Sequence, residues 1–440
     1  MKKKTLFFVE FLNSKSKDIL CYLSIIFIGY AFFNISLRFV PVDFDDLVLL
    51  SVVKNTTNPL RFFIQDWGFG NYGYRPLHSL SLWLGNRVFG VASGPNQLIN
   101  IIFHITVILL LFRLINHLQS DRSIAFIFSC LSLVSYYTLS SATWVSDRPT
   151  LFVAFFLLII LNYFVYLGNR NQPNIFILII LSLLGVMSKE SGLIIPLVSI
   201  YILITQNEKD SRNKFAIISL LLVIVTYVLF RFIIFGSQAG SYFESGYLYG
   251  FKYYESSLTL VGIERIVMVA ENIFKNILAI FIPVFDGQGK ISLIGTWTNS
   301  VILVFSTISL IVAAYSKKLS VYQKISLVIV FLNAVLHFQV FRYRTLYIAQ
   351  ISLSIFIATS PLLTSNNKFR RMFSILAGAM LLLSNIHIVG EDLTYQLLSR
   401  LNLLHQEGFE QNILQSSSRI DADVIKQIKR KIGCYEEIIN

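Results

Sequence analysis

Long uncharged runs of apolar residues are the feature that most constrains what this chain can fold into. The first run, Ile19 to Leu37, contains no charged residue and is long enough to cross roughly 30 Å of hydrocarbon at about 1.5 Å per helical residue. Backbone polar groups inside hydrocarbon must bond within their own segment, which favours helices. Because similar runs recur along the chain, we expect an all-α, polytopic integral membrane protein.

The apolar runs predict about eleven transmembrane helices, with an extracytoplasmic first loop that contains interfacial helices. The predicted spans are residues 19–37, 98–116, 123–141, 150–167, 175–188, 191–205, 215–235, 292–314, 325–341, 345–363 and 372–390. The stretch Ile263 to Phe285 carries two acidic and two basic residues. We predict that it is an amphipathic helix at the outer interface or between other helices.

The composition agrees with a membrane protein, because 55% hydrophobic and 14% charged residues are not the values of a soluble globule. The net charge of +13 is placed in the N-terminal arm and in alternate loops, which indicates membrane orientation rather than a nucleic-acid partner. Cys21, Cys130 and Cys434 suggest neither a disulfide framework nor a thiolate metal site. A cleaved signal peptide fits poorly, because the first run is long and further spans follow.

The basic residues predict the orientation. The arm "MKKKTLFFVEFLNSKSKD" is expected to stay in the cytoplasm, so the N-terminus lies on the inner side of the cytoplasmic membrane. Five polar motifs, "DFDD", "YRPLHS", "WVSDRP", "SKES" and "FRYRTLY", then fall at outer helix ends. We expect a membrane domain over 1–390 and a short helical, extracytoplasmic tail over 391–440.

Six stretches, in order within residues 40–365, carry a family resemblance. They are "FDDLVLLSVVKN", "DWGFGNYGYRPLHSLSLWL", "NQLINIIFH", "TWVSDRPTLFVAFF", "LLGVMSKESGLIIPL" and "RTLYIAQISLSIFIA". They resemble the membrane-embedded C-type glycosyltransferases, most of all the O-mannosyltransferases with lumenal TPR repeats, and more distantly protein O-mannosyltransferases and bacterial aminoarabinose transferases. The tail 391–440 is too short for a TPR array, and Tyr343 replaces the Glu of the family's "ER-x-LY" pattern.

The resemblance implies a transferase that moves a sugar from a polyprenyl-phosphate donor to a hydroxyl of a protein, glycan or lipid acceptor outside the cytoplasm, by inverting single displacement. Such a transfer needs a base for the acceptor proton and cations for the departing phosphate. The resemblance places the catalytic carboxylate in the first external loop, which makes Asp45 and Asp46 the candidates without choosing between them. Asp43 is expected to be solvated. The alternative is that "DFDD" only caps the first interfacial helix.

Cationic residues are the candidates for the donor phosphate. The leading candidates are Arg231 and Arg344, because guanidinium groups match phosphate oxygens bidentately. Tyr347, in the same motif as Arg344, is grouped with them. Snorkelling to the interface is the alternative for the arginines. Arg75 and Lys189 are further candidates, with structural ion pairs as their alternative.

Supporting roles are assigned to Glu190, Asp147 and Arg148. Glu190 is expected to orient the site or help hold a metal, whereas Asp147 and Arg148 also fit an ordinary turn and helix cap. Adjacent helical residues do not face each other, so Lys189 and Glu190 are expected to have different partners. No cofactor and no metal ligand set is assigned, although a divalent metal is compatible with this chemistry.

Other functions remain open at this stage. A lipid-linked sugar flippase or transporter would also carry intramembrane arginines, but repeated halves are expected of it and none is visible. An O-antigen ligase or polymerase would use a similar donor, and a non-catalytic scaffold would not need the "DFDD" carboxylates. A nucleotide-sugar enzyme is not supported, because no Gly-rich phosphate loop follows a strand.

The predicted topology can be tested by cysteine-accessibility labelling. In a background without native cysteines, Ser93→Cys should react with a membrane-impermeant thiol reagent from the outer side and Asn207→Cys only from the cytoplasmic side. Labelling of both from one side would overturn the arrangement.

Overall fold

The computed structural model describes residues 2–38, 44–67, 73–90, 93–119, 121–168, 172–206, 211–235, 263–281, 319–337, 343–360 and 363. All regular structure within these ranges is helical. The α-helices are α1 Lys2–Phe33, α2 Phe44–Asn55, α3 Pro76–Phe89, α4 Ser93–Gln119, α5 Arg122–Leu133, α6 Tyr136–Thr143, α7 Arg148–Leu167, α8 Ile175–Ser188, α9 Ile194–Gln206, α10 Ser211–Phe235, α11 Ile263–Phe281, α12 Val321–Leu336 and α13 Tyr347–Ala358. Short 3₁₀ helices cover Asn34–Arg38, Pro59–Phe63, Val145–Asp147, Glu190–Leu193 and Tyr343–Leu346.

Four helical segments in the described ranges are long and apolar enough to cross a membrane: Ser16–Leu37, Gly94–Gln119, Val145–Leu167 and Ser211–Phe235. They correspond to the predicted spans 19–37, 98–116, 150–167 and 215–235. The predicted spans 292–314 and 372–390 and the tail 391–440 lie outside the described residues. The helical, membrane-spanning character of the chain is therefore confirmed, whereas the count of eleven stays a prediction.

The predicted span 123–141 differs from the structure, because α5 and α6 meet at a bend of 67°. The Thr138 hydroxyl donates to the carbonyls of Ser132 and Ser135 at 2.9 and 2.8 Å. Hydroxyl side chains that bond nearby carbonyls compete with the regular helical ladder. A hydropathy pattern does not contain this local competition, so it predicted the span but not the bend, and the two helices together are still apolar and long enough for one span.

Four further predicted spans are short helices. The segments α8, α9, α12 and α13 contain 14, 13, 16 and 12 residues, against about 20 for a straight crossing. Every residue of α13 is nevertheless buried, and its Ser354 hydroxyl lies 2.7 Å from that of Ser132 in α5. The helix α13 therefore packs inside the bundle, whereas α8 and α12 leave apolar side chains such as Phe176 and Phe331 exposed.

The core of the bundle forms around α4, which packs against α1, α5 and α7. Ile108, Leu111 and Phe112 of α4 are completely buried there. In contrast, α10 leaves large apolar side chains such as Leu222 and Ile233 exposed. Exposed apolar side chains on a long helix are what a lipid-facing surface requires.

The two ends of the bundle differ in chemistry. We call the end that holds Asp46, Ser146, Asp147, Lys189 and Glu190 the polar end. From there α4 runs for about 40 Å to the opposite end, where α5 begins. At that opposite end the Arg122 guanidinium bonds to Asp18 in α1. The N-terminal part of α1 and the polar end therefore lie at opposite ends of the bundle, as the predicted topology requires.

The amphipathic segment predicted from Ile263 onward forms α11. Its Ile266 and Phe274 side chains are exposed, whereas Asn276 is completely buried and donates to the His337 carbonyl at 3.1 Å. One face of α11 packs against α12. The segment is therefore a helix with one face against the bundle, and its place at the outer interface or between helices stays a prediction.

Two glycines allow the tight turn between α8 and α9. The Lys189 N–H donates to the Gly185 carbonyl at 3.3 Å, and the Gly192 N–H donates to the Lys189 carbonyl at 2.8 Å. A Cβ atom on Gly192 would lie only 2.0 Å from the Gly185 carbonyl oxygen. Any side chain at Gly192 would therefore push the two segments apart.

We expect Gly192→Ala to destabilise the protein by about 3 kcal/mol, because rigid backbone atoms cannot move away from the added methyl group. Gly168→Ala is the matched control: its φ of +59° is strained for alanine, but the space around it is open, so about 1 kcal/mol is expected. Thermal unfolding in detergent should show the lower Tm for Gly192→Ala. Equal melting temperatures would contradict the close packing of the turn.

Candidate functional site

Charged side chains from four of the predicted motifs meet at the polar end. Asp46 of "DFDD" contacts Ser146 of "WVSDRP", and Asp147 of that motif contacts Lys189 of "SKES". Glu190 of "SKES" contacts Arg75 of "YRPLHS". The fifth motif approaches the same region, since the 3₁₀ helix Tyr343–Leu346 packs against α6.

The two candidate bases occupy different environments in the first turn of α2. Asp46 is completely buried, and its Oδ1 accepts hydrogen bonds from the Ser146 N–H at 2.9 Å and from the Ser146 hydroxyl. Asp45 is only half-buried. The bonds from Ser146 to Asp46 join α2 to a segment 100 residues further along the chain. Asp43 lies outside the described residues.

Asp147 and Lys189 form a buried ion pair. Lys189 Nζ lies 3.3 Å from Asp147 Oδ1 and donates to the Thr150 hydroxyl at 2.7 Å. Asp147 also accepts from the hydroxyls of Thr150 at 2.8 Å and Ser141 at 2.5 Å. Thr150 donates to the same Oδ1 that the lysine contacts, and Ser141 satisfies Oδ2, the oxygen that the lysine does not reach. The network fixes the α8–α9 turn against the first turn of α7.

Glu190 faces two guanidinium groups. Its Oε2 accepts from Arg75 Nε at 3.3 Å and Nη2 at 3.2 Å, and its Oε1 lies 3.9 Å from Arg231 Nη2. The Arg75 guanidinium also stacks 3.8 Å above the centre of the Trp67 ring, a cation–π arrangement. Lys189 and Glu190, adjacent in sequence, therefore contact different partners.

The charge state of Glu190 follows from this setting. Burial raises the pKa of its carboxyl group, but the guanidinium groups of Arg75 and Arg231 outweigh burial and hold the pKa at about 2. Because this pKa is lower in the folded protein than in the unfolded chain, Glu190 stabilises the fold at pH values above the ordinary carboxyl pKa. This stabilisation is lost as the pH falls toward 2. Glu190 is thus an anion at any physiological pH.

Arg148 occupies a cage of neutral groups and is completely buried. Its Nε donates to Asn100 Oδ1 at 2.7 Å, its Nη1 to the Ser81 hydroxyl at 3.1 Å and its Nη2 to the Asn96 carbonyl at 2.9 Å. Gly85 makes room for the Asn96 side chain, which a Cβ atom there would approach to 2.7 Å. Arg148 thereby joins α3, α4 and α7, which is a structural role.

His78, to which the sequence assigned no role, is also completely buried at the polar end. Neither ring nitrogen has a hydrogen-bond partner among the described residues. Burial, together with the nearby cations Arg148, Arg75 and Lys189, holds its pKa well below the usual value. The "YRPLHS" motif was the only sequence signal, and it did not distinguish this histidine from a core residue.

The structure describes the side chain of Tyr347 but only the backbone of Arg344. The Tyr347 hydroxyl lies 2.7 Å from His104 Nδ1, while His104 Nε2 lies 2.9 Å from the Leu133 carbonyl. A carbonyl only accepts, so Nε2 carries the proton and Nδ1 accepts from Tyr347. Phosphate contact by this hydroxyl would require that bond to break. The Arg344 backbone lies in the 3₁₀ helix Tyr343–Leu346, and its side chain is outside the described part.

The described part of the chain contains no group of three or more His, Cys, Asp or Glu side chains placed to bind a metal ion. Its buried carboxylates contact serine, threonine, lysine and arginine instead. A role for a divalent metal stays a prediction from the chemistry.

Comparison with known proteins gave few similarities. No protein-family model and no curated protein matches the chain. Two solved structures of the oligosaccharyltransferase of Archaeoglobus fulgidus are similar to it. One, tethered by a disulfide bond to an acceptor peptide with the NVT sequon, has 14% identity and a TM-score of 0.48 and covers 84% of this chain and 55% of that chain. The other, AglB with an inhibitory peptide and a dolichol-phosphate, has 13% identity and a TM-score of 0.49 and covers 90% and 59%. This chain thus spans a little over half the length of either.

The coupling between Arg75 and Glu190 can be measured with a double-mutant cycle. We expect Glu190→Gln to lower stability more than Arg75→Gln, because it removes the negative charge that both Arg75 and Arg231 face. The two changes together should cost less than their sum, with a coupling energy of about 1–2 kcal/mol. Thermal unfolding of the wild type, both single variants and the double variant supplies the values. Strict additivity would show that the observed contact contributes nothing to stability.

Proposed function

We propose that the chain is a C-type membrane glycosyltransferase, similar to O-mannosyltransferases, that transfers a sugar from a polyprenyl-phosphate donor to a hydroxyl acceptor. The reaction takes place on the extracytoplasmic side of the cytoplasmic membrane and inverts the anomeric carbon. The acceptor is a protein, a glycan or a lipid. The family resemblance of the six ordered motifs supplies the reaction class.

One structural observation carries the proposal: carboxylates and cations from four distant segments meet at one end of an apolar bundle. Charged groups inside an apolar helical bundle are costly and usually mark a functional site. The pairs Asp147–Lys189 and Glu190–Arg75 keep these charges compensated and fixed in place. Fixed charges suit a transfer in which negative charge develops on the leaving phosphate.

Asp45 is the proposed base. It is half-buried and therefore accessible to an acceptor hydroxyl, whereas Asp46 is completely buried and held by two hydrogen bonds from Ser146. A base must come within hydrogen-bond reach of the proton that it removes. Asp46 is then a positioning residue that fixes the first turn of α2.

Arg231 and Arg75 are the proposed contacts of the donor phosphate within the described residues. Two guanidinium groups face the single carboxylate of Glu190, so the cluster carries excess positive charge. The Arg231 side chain is 16% exposed, which leaves it accessible to a lipid-borne anion. Lys189 and Arg344 are proposed to add positive charge from the two neighbouring segments.

The proposed reaction is a single displacement. The Asp45 carboxylate takes the proton of the acceptor hydroxyl while its oxygen attacks the anomeric carbon from the face opposite the phosphate. The bond between the anomeric carbon and the phosphate oxygen breaks, and the electron pair leaves with the lipid phosphate. The guanidinium groups stabilise that charge.

Transport of a lipid-linked sugar is the second candidate function, because a flippase would also need cations for the phosphate. It would not need a base. Substitution of Asp45 therefore separates the two functions.

We expect Asp45→Asn to lower sugar transfer by about a hundredfold to ten-thousandfold with nearly unchanged donor binding, because it removes only proton transfer. The donor is first identified by mass spectrometry of the lipid-linked sugar that co-purifies with the protein. Asp46→Asn should cost less than about tenfold, since its amide oxygen still accepts from Ser146. Transfer and donor binding are measured on the same purified variants.

Asp121→Asn is the matched control. Asp121 caps α5 through a bond from the Ser123 N–H at 3.0 Å, and Asn caps a helix about as well as Asp. Its transfer rate should equal that of the wild type. Normal transfer by Asp45→Asn would refute Asp45 as the base, and a product with retained configuration would refute single displacement.

A further inference from the structure

His337, which follows the last residue of α12, has a fixed protonation pattern. Its Nδ1 lies 2.8 Å from the Asn333 carbonyl oxygen, and its own carbonyl accepts from Asn276 at 3.1 Å. Because the Asn333 carbonyl only accepts, Nδ1 of the neutral ring carries the proton. Nε2 is then a hydrogen-bond acceptor.

His337 lies beside the charged cluster of the polar end. The helix α12 packs against the 3₁₀ helix Glu190–Leu193. The charges of Lys189, Asp147 and Glu190 act on the His337 ring. The residue is partly exposed. Within the described ranges, no group donates a hydrogen bond to Nε2.

The surroundings restrict what Nε2 can bind. The nearby carboxylates of Asp147 and Glu190 are acceptors and cannot donate to it. The Lys189 ammonium group donates to Asp147 and Thr150, which uses two of its three N–H donors. A neutral acceptor beside a charged site is suited to a hydroxyl group, which donates one proton and brings no charge.

We propose that His337 Nε2 accepts a hydrogen bond from a substrate hydroxyl and so positions that substrate at the Glu190 cluster. This inference rests on the proposed function. The hydroxyl belongs either to the donor sugar or to the acceptor, and the test below distinguishes the two sources.

Two variants separate the roles of the two ring nitrogens. In His337→Asn the side-chain amide still donates to the Asn333 carbonyl in place of Nδ1, but nothing reaches the position of Nε2. In His337→Gln the longer side chain brings an amide oxygen to that position and should restore much of the function. If His337→Asn does not fold by size exclusion and thermal unfolding, His337→Phe keeps the ring volume and supplies the same test.

The full chain is reconstituted in nanodiscs, and binding is measured by native mass spectrometry. The probes are bare decaprenyl phosphate and decaprenyl phosphate that carries mannose or glucose. The readout is the ratio of the affinity for the glycosylated lipid to that for the bare lipid. A purely structural change would lower both affinities and leave the ratio unchanged.

We expect His337→Asn to lower this ratio about tenfold, the usual effect of one lost hydrogen bond, and His337→Gln to restore part of it. Arg231→Gln should weaken binding of both lipids equally, because it acts on the phosphate they share. His117→Asn, at the opposite end of α4 and exposed, should change neither affinity. This pattern assigns the hydroxyl to the donor sugar.

A different pattern assigns the hydroxyl to the acceptor: the ratio stays unchanged, but transfer at saturating donor falls about tenfold in His337→Asn and recovers in His337→Gln. An unchanged ratio together with unchanged transfer in His337→Asn would overturn the role of His337 and leave the proposed function standing. If the wild type binds neither lipid and transfers no sugar, the proposed function fails, and this inference fails with it.

Discussion

Compensation of charges buried in an apolar bundle is the constraint on which the polar end depends. An uncompensated ionic group in a low-dielectric interior costs several kcal/mol, so each buried cation needs a nearby anion or a set of oriented dipoles. Lys189 meets Asp147, Arg75 meets Glu190, and Arg148 is enclosed by amide, hydroxyl and carbonyl oxygens. In each case the cation and the groups that compensate it come from different segments of the chain. Charge compensation therefore also determines how α3, α4, α7 and the α8–α9 turn meet.

The same contacts divide the charged residues into two groups. Arg148 and Asp46 are completely buried and join distant segments, and their groups are held inside the protein. Asp45, Arg231 and His337 are partly exposed and lie at the edges of this rigid framework. Positioned groups on a fixed framework are what a transfer reaction requires, because a site that is already oriented needs little reorganisation during the reaction. In the "DFDD" motif, for example, Asp46 is buried and its neighbour Asp45 is partly exposed.

Several features follow directly from the sequence, and others do not. The break at Lys189 and Glu190 was predicted, since two charges interrupt a long apolar run, and α8 indeed ends at Ser188. The bend between α5 and α6 was missed, because it depends on where the Thr138 hydroxyl bonds. The Asp46–Ser146 contact joins residues 100 positions apart, and no local pattern encodes such a distance. His337 was overlooked because a single histidine near a helix end carries no distinguishing spacing.

The sequence by itself determined that this protein is helical and lies in a lipid bilayer, and that its polar motifs stand at helix ends. These properties depend on composition and hydrophobic length, which are local and additive along the chain. The tertiary structure alone decided which carboxylate is buried and which is accessible, which arginine is structural, and which imidazole nitrogen accepts. Those properties depend on the partner that each group meets in space. A partner from another helix is selected by the packing of the whole bundle, so no single segment contains that information.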